Sequence, residues 1–212
     1  MPRELGDLAY AHRLAPAERP VVDGEYDNAL FEAGTWDDPD GRNARFGECA
    51  FRGVVVAGGL LRSARFDDVW MHGVRFTGTD LTDSAWRDTE IAEGAFSGVE
   101  GSGAELRRVT FHNCKLDSVN LRGATLTKVD FVDCVLRHVD VGGAALTEVR
   151  FPGTEIGELV ARGARLKKVD FRGAQSLGMA DGVQSLSGAT VTRHQLLELA
   201  PAFAAAIGLS VG

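Results

Sequence analysis

The sequence is short of the residues that staple or chemically equip a small protein. Cys49, Cys114 and Cys134 are its only cysteines, an odd set with no paired spacing. That argues against a disulfide framework and leads us to expect a reducing, cytoplasmic setting. Proline (six) and tyrosine (two) are scarce. No apolar run approaches the ~18 residues of a membrane span. The N-terminus, MPRELGDLAYAHRL, carries Glu4 and Asp7 where a signal peptide would be apolar, so neither secretion nor membrane binding is expected. No phosphate loop, nucleophile elbow or His-Glu-x-x-His set occurs, so no catalytic, cofactor-binding or metal-ligating residue is assigned.

Glycine, by contrast, is abundant: 26 of 212 residues against a usual ~7%, which suits a chain that turns often. The turns have a period. Large apolar residues recur every fifth position from Phe46 to Phe171, and only Gly101 and Ala161 fall short. Two residues before each comes a second residue, mostly small or β-branched, as at Ala44, Cys49, Val54, Ala64 and Val69. Five matches neither a helix (3.6) nor a simple strand (2). It matches a backbone that corners every five residues, with both sets pointing inward two apart, as strand alternation requires. Glycine often falls two places after the large residue, as at Gly103, Gly123, Gly143 and Gly163. There a corner can demand positive φ.

LRGATL, LTKVDF, FRGVVV, LKKVDF and FTGTDLTDSAW resemble the A(D/N)LXX motif of pentapeptide-repeat proteins, over residues 44–175 and more weakly over 26–36. The resemblance implies an all-β solenoid, a right-handed quadrilateral β-helix with a short N-terminal cap and a C-terminal α-helical segment. The expected organisation is a cap over 1–25, a β-helix over 26–175 that is regular from 44, and a C-terminal cap or dimerisation segment over 176–212. Reading by twenties gives four internal columns, headed by Phe46, Phe51, Val56 and Leu61. With no slip between 46 and 171, no long loop is expected to leave the rod. GVEGSGAEL (98–106) is its weakest stretch, where a bulge or soft corner is expected.

At the front, Leu5, Leu8, Ala9 and Leu14 are placed on one side of a short helix, and DDPDG (37–41) is read as a turn leading into the regular rod. At the rear, Thr192 and Gln195 have the form of a capping box. Leu196, Leu199, Ala200, Phe203 and Ile207 follow at helical spacing, Pro201 is expected to kink or split the helix, and Gly208 to stop it. This tail resembles the C-terminal helix through which some family members dimerise end to end. The five apolar residues are the candidate homodimer contact; a cap folded over a monomer's last coil is the alternative.

Two sets of side chains invite chemistry and offer little. His72 and His112 share a face two coils apart, ~10 Å by strand stacking, too far to share a zinc. Cys114 and Cys134 stack one coil apart, close enough for a disulfide, but a reduced setting favours two buried thiols.

A packed rod has no cleft, so an enzyme is not expected and function falls to the outer faces. Net charge is −7, unevenly spread. Residues 1–43 and 64–105 each carry −6, residues 44–63 carry +2, residues 106–175 carry +4 and residues 176–212 carry −1. Some members of the family look like B-form DNA and bind DNA gyrase or topoisomerase IV in its place, shielding it from quinolones. The resemblance implies Asp67, Asp68, Asp80, Asp83, Asp88, Glu90, Glu93 and Glu100 as phosphate stand-ins. Against uniform mimicry, the rod over 44–175 is neutral, and one side carries Arg107, Arg108, Lys128, Arg165, Lys167 and Lys168. The alternative is a general protein-interaction scaffold with an unrelated partner. Net acidity argues against direct nucleic-acid binding.

Overall fold

In a computed structural model, which describes residues 1–209, the chain winds into a β-solenoid of about eight turns with one C-terminal helix. The final three residues of the C-terminal segment lie outside the described ones. Every fifth residue heads inward and each turn takes twenty residues. Glu105–His112 thus pairs in parallel with Thr125–Val132, matching Leu106 to Leu126, Val109 to Val129 and Phe111 to Phe131. At ~4.8 Å per turn the rod is about 40 Å long.

The twenty-residue register already holds at Tyr26↔Phe46 and Phe31↔Phe51. Tyr26, Phe31 and Trp36 supply the large side chains there, and Asp38–Gly41 is a corner of a regular coil. At the rear, one extra residue enters the last turn, where Glu155 and Ile156 pair with Ser176 and Leu177. The ladder continues as far as Ala189–Thr190 on Val169–Asp170.

Four walls follow, each named by its column: the first by Phe46, the second by Phe51, the third by Val56 and the fourth by Leu61. The interior is apolar, and like stacks on like. Phe111, Phe131, Phe151 and Phe171 stack with centroids 4.9, 5.3 and 4.9 Å apart and nearly parallel rings. Phe46, Phe66 and Trp86 do the same at 4.9 and 4.0 Å. Aromatic pairs at such offsets add ~0.5–1.5 kcal/mol beyond burial.

The corners fall two residues after each large one. Gly103 takes φ of 70° there, and eighteen non-glycine residues also take positive φ, between 43° and 61°, among them Asp68, Asp83, Asp88, Asn113 and Asp133. Asx side chains tolerate this region best.

The stretch 98–106 departs from expectation. It neither bulges nor slips: Glu100 bridges Asp80 and Asn120 in register, and Gly101 N–H donates to Asn120 O at 2.8 Å. The missing side chain leaves an internal void of about 50 Å³ instead, lined by Trp86, Phe96, Leu106, Phe111 and Leu121 among others. Neighbouring ladders hold the coil at full width. At Gly41, the equivalent position three turns earlier, a Cβ would meet Leu61 and Pro20.

The front segment forms two 3-10 turns, Leu5–Asp7 and Ala11–Arg13, in place of the expected single short helix. Ala15–Pro16 pairs with Ala29–Leu30 at the open end. Residues before it turn away from that end and run along the outside of the rod.

The C-terminal helix spans Arg193–Ala206 with the expected capping box: Gln195 N–H donates to Thr192 Oγ1 at 3.1 Å, and Thr192 N–H to Gln195 Oε1 at 2.8 Å. Pro201 lies within it without splitting it. Gly208, at φ 75°, follows the helix end.

Candidate protein-interaction surface

Among the described residues no group of three His, Cys, Asp or Glu is placed to hold a metal ion. No helix there is long and apolar enough to cross a membrane. The three thiols are buried and free. Burial pushes Cys49 up to about 11. A hydrogen bond with Cys134, together with burial, pushes Cys114 higher still. These two thiols, held protonated, are poor nucleophiles.

The eight acidic candidates do not converge. Asp80 and Glu100 adjoin on the fourth wall, Asp83 stands at the fourth–first corner, and Asp67 lies on the first wall. Asp68 and Asp88 occupy the first–second corner, Glu90 begins the second wall, and Glu93 is at the corner beyond it. They wrap most of the rod's circumference over about two turns.

Most are also engaged. Asp80 accepts from Thr82 N–H at 3.0 Å and from Arg62 at 2.6 Å. Burial pulls its carboxyl upward, but these donors outweigh it and leave it below the usual range. Glu100 is treated alike: burial is outweighed by donors from Ser102 and Asn120. This bracing of the N–H two residues on recurs at Asp40, Asn120, Asp140 and Asp170. An acid or amide before the large residue thus ties down its own corner, as Asx turns do. Arg108 pairs with Asp88 and holds its carboxyl down. Asp67 faces Arg87 at 3.4 Å, Glu93 faces His72 at 3.7 Å, and Glu90 meets Arg3 at 2.6 Å. Of the eight, only Asp67, Asp83 and Glu93 are exposed, the other five being half-buried.

The basic residues form a complementary pattern. Lys168–Glu148, Arg150–Asp130 and Arg162–Asp181 link successive turns, at 3.3 Å and 2.7 Å for the first two. Such exposed pairs contribute little stability each, but they cancel local charge.

Residues 42–85 match the family described as pentapeptide repeats in nine copies, and residues 92–161 match the pentapeptide repeat region. The chain belongs to the pentapeptide-repeat family. No curated protein matches it in sequence. Among solved pentapeptide-repeat structures, HetL of the cyanobacterium Nostoc, involved in heterocyst differentiation regulation, is 16% identical with a TM-score of 0.51 over 79% of this chain and 86% of its own. QnrB1, a plasmid-mediated fluoroquinolone resistance protein, is 17% identical with a TM-score of 0.44 over 90% and 99%. Rfr23 of the cyanobacterium Cyanothece is 13% identical with a TM-score of 0.47 over 61% and 89%. At 16% identity the likeness to HetL is one of fold.

The tail candidates divide in two. Leu199 is buried against the last coil and Phe203 packs beside it. Gln195 Nε2 reaches Phe171 O at 2.7 Å. This face is a cap. Leu196, Ala200 and Ile207 face outward, and Leu197, absent from the sequence candidates, joins them at 67% exposure.

Sequence reasoning also passed over Trp70, because it occupies an outward place in its five. It is nonetheless 2% exposed, covered by the N-terminal segment.

Proposed function

We propose that this pentapeptide-repeat protein is a non-enzymatic interaction rod that binds a protein partner through its outer walls, as a homodimer joined at its C-terminal helices. The reading rests on one observation: the interior is occupied by the chain's own stacked side chains, so the surface is what remains for recognition. Small-molecule sites need concavities of ~300–1,000 Å³, and the apolar void beside Gly101 is about 50 Å³. Free buried thiols suit a reducing cytoplasm.

A scaffold with a partner unrelated to topoisomerases is the form the charge arrangement favours. A rod that stands in for DNA needs uncompensated negative charge along its length, to meet a positive saddle. Here five of the eight acids are half-buried, most brace corners or pair with neighbouring groups, and the basic half lies towards the C-terminal helix. DNA gyrase or topoisomerase IV is the second reading. It is favoured by the excess acid of the front half and would use Asp67, Asp83 and Glu93.

Gyrase supercoiling measured against rising protein, with and without a quinolone, separates the two. The scaffold reading expects no inhibition and no protection at tens of micromolar, where weak specific pairs are still occupied. Inhibition abolished by joint charge reversal at Asp67, Asp83 and Glu93 would establish the topoisomerase reading in its place.

A further inference from the structure

The N-terminal segment lies in a groove at the first–second corner of the rod, held in an unusual way. From Asp7 to Leu14 its backbone hydrogen bonds are internal: Asp7 N–H to Glu4 O, Ala11 N–H to Leu8 O, and Arg13 N–H to Tyr10 O. The wall beneath needs none of them. Ala50–Arg52 is paired on both sides, with Leu30–Glu32 and Trp70–His72. Trp70 N–H donates to Cys49 O and Glu90 N–H to Val69 O. Side chains make the attachment. Leu8 and Tyr10 bury against Ala50 and Trp70, with Leu5, Leu14 and Leu30 alongside. Tyr10 is 1% exposed, and its hydroxyl donates to Cys49 O at 3.3 Å. Trp70 Nε1 donates to Arg3 O at 3.0 Å. An ion pair closes each end: Arg3 on Glu90 at 2.6 Å and Arg13 on Glu48 at 2.7 Å.

Removing residues 3–14 would therefore uncover an apolar, indole-floored groove with a carboxylate at each end while leaving the ladder's backbone bonds intact. We propose that this groove is a docking site for a segment of a partner protein, which displaces the chain's own strap. The strap defines the chemistry that fits: a short, mostly non-strand segment with an arginine near each end and leucines and a tyrosine between. Apolar burial supplies the attraction, and the end carboxylates set direction and register. The inference holds whichever macromolecule meets the exposed acids.

The test removes residues 2–14 and adds them back in trans. The shortened chain is expected to keep its far-ultraviolet circular dichroism and to show red-shifted tryptophan emission as Trp70 meets water. It should bind a labelled peptide of residues 1–17 saturably. A peptide carrying Leu8→Asp and Tyr10→Ala should bind about tenfold more weakly or worse. A folded shortened chain that ignores the peptide, or takes both peptides equally, overturns the proposal. So does a dimer of the intact chain that this deletion abolishes, since the groove would then belong to a second copy. Should the shortened chain not fold, amide exchange of the intact chain decides. Ala11 and Arg13 exchanging on the order of a hundredfold faster than Trp70 and Glu90 supports an independently opening strap; exchange at one common rate overturns it.

Discussion

At Gly101 the interior lacks a side chain, and the coil does not contract to close the gap. A Cβ there would come within 3.1 Å of Leu121 Cδ2 and 3.2 Å of Asn120 O. Leu121 borders the void and has room to move into it. Gly101→Ala is accordingly expected to stabilise the protein by about 0.5–1 kcal/mol, through a stiffer unfolded chain and a smaller void. The denaturation midpoint should rise with an unchanged slope; a lowered midpoint would mean that Asn120 O, not Leu121, sets the contact. The carboxylates give a second residue-level expectation. Asp80, Asp88, Glu100 and Asp170 are all held below their ordinary range by donors that exist only in the fold. Their contribution is present above the unfolded values near ~4 and is lost as pH falls through the lower folded ones. Asp68, raised by burial, acts in the opposite sense but alone. Stability should therefore fall as pH drops from about 5 to 2, and a flat profile would show that the corner braces are energetically idle.

Among the elements, the phenylalanine column of the second wall is the clearest stack. Phe131 contacts Phe111 and Phe151 in adjacent turns and is 3% exposed. Phe131→Ala is expected to cost about 3–5 kcal/mol, because ladders on both sides prevent the coil from collapsing around the hole. Denaturant unfolding measures it; a loss near 1 kcal/mol would mean that the coil relaxes after all. The C-terminal helix is the other telling element. Its heptad-like apolar spacing was legible, but not which residues turn inward. Docking on the last coil assigns Leu199 and Phe203 to the cap and leaves Leu196, Leu197, Ala200 and Ile207 outward.

For the whole molecule, that division makes the proposed dimer testable without damage to the cap. Leu197→Asp removes an exposed apolar contact and leaves Leu199 in place. Light scattering should report half the mass of the parent protein while the melting behaviour of the rod is kept. An unaltered mass would show that the helix is only a cap, and the interaction rod would then act through one copy.

The regular architecture was readable in the chain because a five-residue period leaves little choice: side chains five apart must fill one tube, and twenty-residue stacking follows. The capping box at Thr192 and Gln195 was legible for the same local reason. The surface was not. Asp80 and Glu100 look like free acids in the sequence, yet they brace their own corners. Trp70 looks exposed and is buried under residues some sixty positions earlier. Local pattern determines which side chains face inward. Which outward side chains stay free depends on contacts between turns and on where the chain's ends come to rest, and those exist only once the rod is wound.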